Sequence, residues 1–297
     1  MSKNLVAVEK FTFKSREITC VGYLYQVKND NQLPCIIMGS GFGGTQDTPS
    51  IIATAKSFAQ AGFAAFTFDY RNLGESEGQP RQLVSIAGQQ VDFLSAINFI
   101  KGQPSVDGKR LALWGSSLGG GHVVSVAAIS SDISTVISQI PFNGFPKNNG
   151  RSLKGTVSLL RAMYKDLKRG KKGEPPFYIP AVGQEGELAV MTSEEASKTI
   201  AGMQSKTWRN EVAPRALIEM MKYKPSNSGG QVKAKVMICY GEYDKETQGP
   251  HTMELIQSIP NVEVKSYPVP HFEFYNPEVR DGVIADQIVF LKKCFPA

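Results

Sequence analysis

Ser117 stands at the centre of Gly115-Ser116-Ser117-Leu118-Gly119. The apolar run Leu111-Ala112-Leu113-Trp114 leads straight into this string, and Gly120, Gly121 and a small-residue helical stretch follow it. Strand, sharp turn and helix are the setting that a nucleophilic serine needs. The turn imposes a strained backbone on Ser117, small neighbours let strand and helix approach, and the hydroxyl is left above the sheet at the positive end of a helix. A second string, Gly74-Glu75-Ser76-Glu77-Gly78, lies in a charged loop with no helix directly behind it, and reads as a turn.

Serine is a poor nucleophile without a base, and the chain has 3 histidines. His122 lies inside the helix that follows Ser117 and points away from the turn. His251, after Gly249-Pro250, reads as a polar group at a helix start. His271 follows an expected last strand, 262–267, and the turn Pro268-Val269-Pro270, so it falls at the carboxyl end of the sheet where site loops gather. The carboxylate that orients it should come from the loop after the preceding strand, 236–240. Asp244 in Gly241-Glu242-Tyr243-Asp244 is that group, with Glu242 and Glu246 read as solvated. Ser117, Asp244 and His271 then occur in the order Ser…Asp…His and form a set for acyl-enzyme chemistry.

A competing glycine motif is Gly39-Ser40-Gly41-Phe42-Gly43-Gly44, which satisfies G-x-G-x-x-G and has Asp69 at the end of the next strand. That pattern suits a nicotinamide-dependent oxidoreductase. Against it, residues 45–49 intervene before the helix, and two strands precede the unit. The same loop suits a hydrolase, which needs backbone N–H groups aimed at an oxyanion.

The elements that must position these residues follow from apolar periodicity. Two short antiparallel strands are expected over 12–27. Buried strands follow at 35–38, 63–68, 110–114, 135–140, 233–240 and 262–267, with helices at 51–61, 82–101, 118–130, 252–258 and 277–293 between and after them. The alternation predicts an α/β fold with a mostly parallel, doubly wound sheet. It breaks at Pro141 and resumes at Lys233. We therefore expect a core of 1–144 and 231–297 and an inserted helical lid of 145–230. The insertion holds 15 Lys and Arg against 8 Asp and Glu, more than the whole net excess of +6. Its charge reads as a solvated helix face or as an attractor of anionic substrates. Its Phe177, Tyr178, Trp208 and several Met residues are expected to form the acyl pocket.

With those residues placed, the chain resembles the α/β-hydrolases. It is similar to the bacterial and fungal serine hydrolases related to dienelactone hydrolases and Xaa-Pro acyl-peptidases. The resemblance rests on Gly41-Phe42-Gly43-Gly44, on Phe68-Asp69-Tyr70-Arg71-Asn72-Leu73-Gly74-Glu75-Ser76, on Gly115-Ser116-Ser117-Leu118-Gly119-Gly120, and on Pro270-His271-Phe272-Glu273-Phe274-Tyr275. It implies that the backbone N–H groups of Phe42 and Leu118 form the oxyanion hole. These relatives usually carry His before the Gly-Phe of that loop, as a support for the loop; here the residue is Ser40.

Composition bounds the rest. With 297 residues, 41% hydrophobic, 20% charged, 16 Phe and 10 Tyr, the chain can bury a large core and is not a disordered one. No apolar run approaches the roughly 18 residues of a membrane span, and the stretch 1–11 lacks the apolar core of a signal peptide. Cys20, Cys35, Cys239 and Cys294 show no CxxC spacing and read as reduced thiols, which fits a cytoplasmic protein. No cluster has metal-ligand spacing, so no cofactor or metal is expected. The expected partner is a small-molecule acyl substrate, with no nucleic acid and no membrane span, and a homo-oligomer is compatible with the sequence. The expected activity is a serine hydrolase cleaving an ester or thioester. Acyl transfer by the same three residues is the alternative, ahead of peptidase or amidase action and of nicotinamide-dependent oxidoreduction.

Overall fold

The computed structural model describes residues 5–145, 152–247 and 249–296, so the first residues of the expected insertion, 146–151, lie outside the described residues. An eight-stranded sheet forms the centre. In chain order its strands are β1 (Val6–Ser15), β2 (Ile18–Val27), β3 (Leu33–Gly39), β4 (Ala64–Phe68), β5 (Val106–Ser116), β6 (Ile133–Gln139), β7 (Lys235–Gly241) and β8 (Val262–Tyr267). Their spatial order is β1-β2-β4-β3-β5-β6-β7-β8. The pairs β1/β2 and β2/β4 are antiparallel and the rest are parallel.

Helices cover both faces because the strands are apolar on both. In β3, Ile37 joins a cluster with Phe93, Ile97 and Val124 from α2 (Ile86–Lys101) and α3 (Leu118–Ala127). Its neighbours Ile36 and Met38 join the opposite cluster, with Phe58 of α1 (Pro49–Gln60) and Phe290 of the C-terminal helix (Pro277–Cys294). Successive strand residues point to opposite faces, so a strand buried on both sides reads as a continuous apolar run.

Between β6 and β7 the chain forms α4 (Leu153–Lys171), α5 (Glu194–Met203), α6 (Ala216–Met220) and α7 (Ser226–Gly229). After β7 come α8 (Gly249–Ser258), then β8, a 3-10 turn (His271–Tyr275) and the C-terminal helix, α9. A third buried cluster joins Met163, Ile179, Val212 and Leu217 of the β6–β7 segment to Phe42, Leu118 and Phe272 at the carboxyl end of the sheet.

Several boundaries differ from the sequence reading, among them the starts of β5 at Val106 and of α8 at Gly249. The helix expected from residue 82 starts at Ile86, because Ser85 caps it by accepting the Gly88 N–H at 3.2 Å. Gln82 instead adopts φ 57° and donates from its side chain to the Arg209 and Glu211 carbonyls. The first two strands run longer than expected, pairing from Val6↔Val27 to Ser15↔Ile18 across a tight turn.

Candidate active site

Ser117 sits between β5 and α3 with φ 55° and ψ −118°, a region that costs a non-glycine residue about 1–3 kcal/mol. The surroundings hold it there. Its N–H donates to the Gln139 carbonyl at 2.9 Å, and its own carbonyl accepts from Phe142 at 2.9 Å and Gly121 at 3.1 Å. The flanking glycines are a packing requirement. A Cβ on Gly115 would strike the Gly119 carbonyl, and one on Gly119 would strike the Ser40 and Gly39 carbonyls of the loop after β3.

His271 and Asp244 arrive from the ends of β8 and β7. Their loops are stitched together, with Glu242 N–H donating to the Tyr267 carbonyl at 2.8 Å. His271 opens the 3-10 turn rather than lying in open loop, and it is buried. Its Nδ1 lies 2.7 Å from Asp244 Oδ2. Asp244 is in turn held by three contacts that the sequence reading did not anticipate. Oδ1 accepts from the Glu246 and Thr247 N–H groups at 2.9 and 2.8 Å, while Thr247 Oγ1 donates to Oδ2 at 2.8 Å. The available signal was the spacing Asp-x-x-Thr, in which a carboxylate closes a turn on the backbone ahead of it.

Burial opposes charge on both groups, and their pairing overcomes it. The Asp244 carboxyl, despite its burial, is held below its ordinary value by His271 and the Thr247 bonds. His271, which burial alone would lower, is raised above 6.5 by the Asp244 carboxylate. An ionised carboxylate only accepts, so Nδ1 carries the hydrogen-bonded proton and Nε2 is left basic.

The loop after β3 lies against Ser117: a Cβ on Gly41 would be 3.2 Å from Ser117 Cβ. The Gly44 N–H closes a turn on the Gly41 carbonyl at 3.1 Å, with Gly43 at φ 66°. Ser40 Oγ donates to the Gly44 carbonyl at 2.7 Å, so the residue that replaces the usual His still braces the loop. Among the described residues, no protein group accepts from the Phe42 or Leu118 N–H, although both residues are buried. Leu118 opens α3, where an N–H has no acceptor within the helix.

Ser117 and His271 line one cleft of about 540 Å³, counting the part open to solvent. Its apolar walls are Phe42, Ile51, Met191, Met203, Phe272 and Tyr275. Of the expected pocket residues from the β6–β7 segment, two methionines, Met191 and Met203, reach the cleft. Phe177, Tyr178 and Trp208 are not among its lining residues. Phe177 lies under Lys165, whose Nζ is 3.7 Å from the ring centroid, and Tyr178 Oη donates to the Arg81 carbonyl at 2.9 Å. Trp208 follows a turn anchored by Ser205, whose Oγ accepts its N–H at 3.1 Å. Thr48 and Ile51, at the start of α1 beside the cleft, were not legible as site residues, since a helix-start threonine and an apolar helix position carry no catalytic signature.

The competing motifs are accounted for by structure. Asp69 is buried and accepts from Gln46 N–H, Gln46 Nε2 and Glu75 N–H, so its oxygens anchor two loops rather than a ribose. Burial pushes that carboxyl up to about 7. Ser76 is also buried, and its hydroxyl donates to the Asp69 carbonyl while accepting the Val21 N–H. His122 is a core residue between Tyr223 and Gln89, with its pKa lowered by burial to about 3. His251 lies in the first turn of α8 and its carbonyl accepts from Asn143 at 2.9 Å. Among the described residues, no group of three His, Cys, Asp or Glu could hold a metal ion, and no helix is long and apolar enough to cross a membrane.

Sheet order, strained turn and flanking helices are those of an α/β-hydrolase. The chain belongs to the family described as serine aminopeptidase, S33, whose sequence model matches residues 35–272. It is 35% identical over 287 residues to the quorum-quenching protein AidA of Acinetobacter baumannii, covering 96% of this chain and 94% of that one. It is 30% identical over 190 residues to the thiohydrolase apmlB of Arthrinium phaeospermum, covering 61% and 58%. The crystal structure of the α/β hydrolase GrgF from Penicillium superposes with a TM-score of 0.82 at 20% identity, covering 98% of this chain and all of that one, a likeness of fold.

Proposed function

We propose that this protein is a serine hydrolase that cleaves a carboxylic ester or thioester through an acyl-enzyme on Ser117. The observation that carries the proposal is the meeting of Ser117, strained and at a helix start, with a His271 whose Nδ1 is fixed 2.7 Å from Asp244 in one cleft. His271 Nε2 takes the Ser117 proton as Oγ attacks the carbonyl carbon. Asp244 stabilises the imidazolium that results, and the Phe42 and Leu118 N–H groups bond the oxyanion. Collapse of the tetrahedral intermediate expels the alcohol or thiol, which takes the proton from His271. Water, activated by the same imidazole, then releases the acid.

The apolar wall of Phe42, Ile51, Met191 and Met203 favours an uncharged, apolar acyl group. A thioester is in keeping with the relative named a thiohydrolase. The residues 145–230 are proposed to act as a lid, since their Met191 and Met203 reach the cleft. A panel of aryl esters, acyl thioesters and aminoacyl anilides, with and without an acceptor alcohol, tests this reading. Esters or thioesters should turn over fastest. Preferential anilide cleavage would make it an amidase, and diversion of the acyl group to the alcohol would make it a transferase.

The pH profile is a second test. Only neutral His271 can accept the serine proton, so kcat/KM should rise with pH through a pKa above 6.5, because that group is raised. Asp244→Asn removes the charge that raises it and should move this limb to lower pH. An acidic limb below 6.5 in the wild-type protein would contradict the pairing.

On α4, the exposed charged residues are Lys154, Arg161, Lys165, Lys168 and Lys171, with Lys172 just beyond its end, while its one acid, Asp166, is buried and paired with Arg215. If this face steers anionic substrates, replacing Lys168, Arg169, Lys171 and Lys172 by Gln should lower kcat/KM several-fold for an anionic ester and leave a neutral one unchanged. Added salt should erase the difference, since fields are screened beyond about 8 Å at physiological ionic strength. Equal losses on both substrates would mean that the segment had been loosened instead.

A further inference from the structure

A chain of buried hydrogen bonds runs from the core to the cleft beside Ser117, and its direction can be assigned. Trp114 Nε1 lies 3.0 Å from Gln287 Oε1, and an indole N–H can only donate. Gln287 therefore accepts with its oxygen and donates from Nε2 to Gln139 Oε1 at 2.9 Å. Gln139 in turn donates from Nε2 to Ser116 Oγ at 3.2 Å. The last link is Ser116 Oγ to Tyr275 Oη, 3.2 Å, in which either oxygen could donate.

Satisfaction of the buried protons decides that link. If Tyr275 donated to Ser116, the Ser116 proton would be left without an acceptor at a fully buried residue. If Ser116 donates to Tyr275, the buried Ser116 proton is bonded, and the proton of the partly exposed Tyr275 faces the cleft that Tyr275 lines. An orphaned buried donor costs more than a hydrogen bond gains, so the second arrangement prevails. Successive donation along such a chain also polarises its final O–H.

The hydroxyl lies on the same side as the oxyanion loop. A Cβ on Gly41 would be 3.8 Å from Tyr275 Oη and 3.2 Å from Ser117 Cβ. We propose that Tyr275 is a third donor to the oxyanion, its proton aimed into the cleft by the chain that begins at Trp114. This rests on the acyl-enzyme reading above. Burial pushes the phenol up to about 12, so it keeps its proton through the neutral range. The tyrosine supplies a hydrogen bond only: no proton leaves it as the carbonyl oxygen gains charge and loses it again.

The test compares wild-type protein with Tyr275→Phe on a series of aryl esters of one acid, and measures inhibition by a trifluoromethyl ketone. Loss of one oxyanion donor costs on the order of 100-fold in kcat. We expect that loss, with KM within about threefold and ketone affinity falling in parallel, irrespective of the leaving group. Ser116→Ala keeps the phenol, and should lose much less than Tyr275→Phe. Turnover by Tyr275→Phe within threefold of wild type would overturn the proposal. So would a rise in KM at constant kcat, a loss that scales with leaving-group basicity, or an equal loss in Ser116→Ala. Fluorophosphonate labelling separates the two ideas. No Ser117 label in the wild-type protein removes the acyl-enzyme reading and this proposal with it, whereas normal labelling and turnover in Tyr275→Phe removes this proposal alone.

Discussion

Ser117→Ala is expected to abolish fluorophosphonate labelling and to lower turnover of the best ester by about 10⁶-fold, leaving only what binding and the oxyanion donors provide. The position is unusually exclusive. Ser116, its neighbour, is buried and committed to Gln139 and Tyr275. Ser76, at the centre of the other glycine-flanked string, is buried and committed to Asp69 and Val21. Ser40 is committed to Gly44. Ser40 and Ser116 also line the cleft, but of these hydroxyls only that of Ser117 belongs to the residue with the strained backbone and is committed to no other group among the described residues. The substitution should leave stability unchanged, because Ala tolerates that backbone no better than Ser. Mass spectrometry of the labelled wild-type peptide gives the site directly, and label on Ser76 or Ser116 would refute the assignment.

Asp244→Asn is expected to lower the chemical step by about 10⁴-fold, and the contacts around it explain why so small a change should matter. Oδ1 accepts two backbone N–H groups, from Glu246 and Thr247. In the asparagine variant the amide oxygen must take that place, since an NH₂ there would face two donors. The NH₂ then occupies the position of Oδ2, 2.7 Å from His271 Nδ1 in the native pair. Facing a donor, Nδ1 must become the acceptor, which moves the imidazole proton to Nε2 and removes the base. Glu242→Gln is the control, because its carboxylate bonds only Ser266 Oγ at the surface, at 2.8 Å. A loss under about tenfold for Asp244→Asn, with Glu242→Gln causing the damage, would place the acid elsewhere. Circular dichroism should show the fold intact in both variants.

The sequence by itself determined the parts whose cause is local. A sharp turn between an apolar strand and a small-residue helix requires glycine at 115 and 119, because the turn brings the Gly119 carbonyl and the loop after β3 within reach of any Cβ. The strained turn at Ser117 was therefore legible from five residues. His271 and Asp244 were legible as residues that follow strands, since parallel strands bring their carboxyl ends to one edge whatever their order. Tertiary structure decided everything that depends on which elements become neighbours. Thr247 locks Asp244 only because the loop after β7 folds back on itself. Met191 and Met203 reach the cleft while Phe177 and Tyr178 pack against Lys165 and Arg81, a choice set by how the β6–β7 segment lies on the sheet and invisible to periodicity. The direction of the Tyr275 proton depends on Trp114, Gln139 and Gln287, brought together from β5, β6 and α9. Local rules assign a residue to a face; burial and the satisfaction of every buried donor assign its partner, and those are properties of the assembled fold.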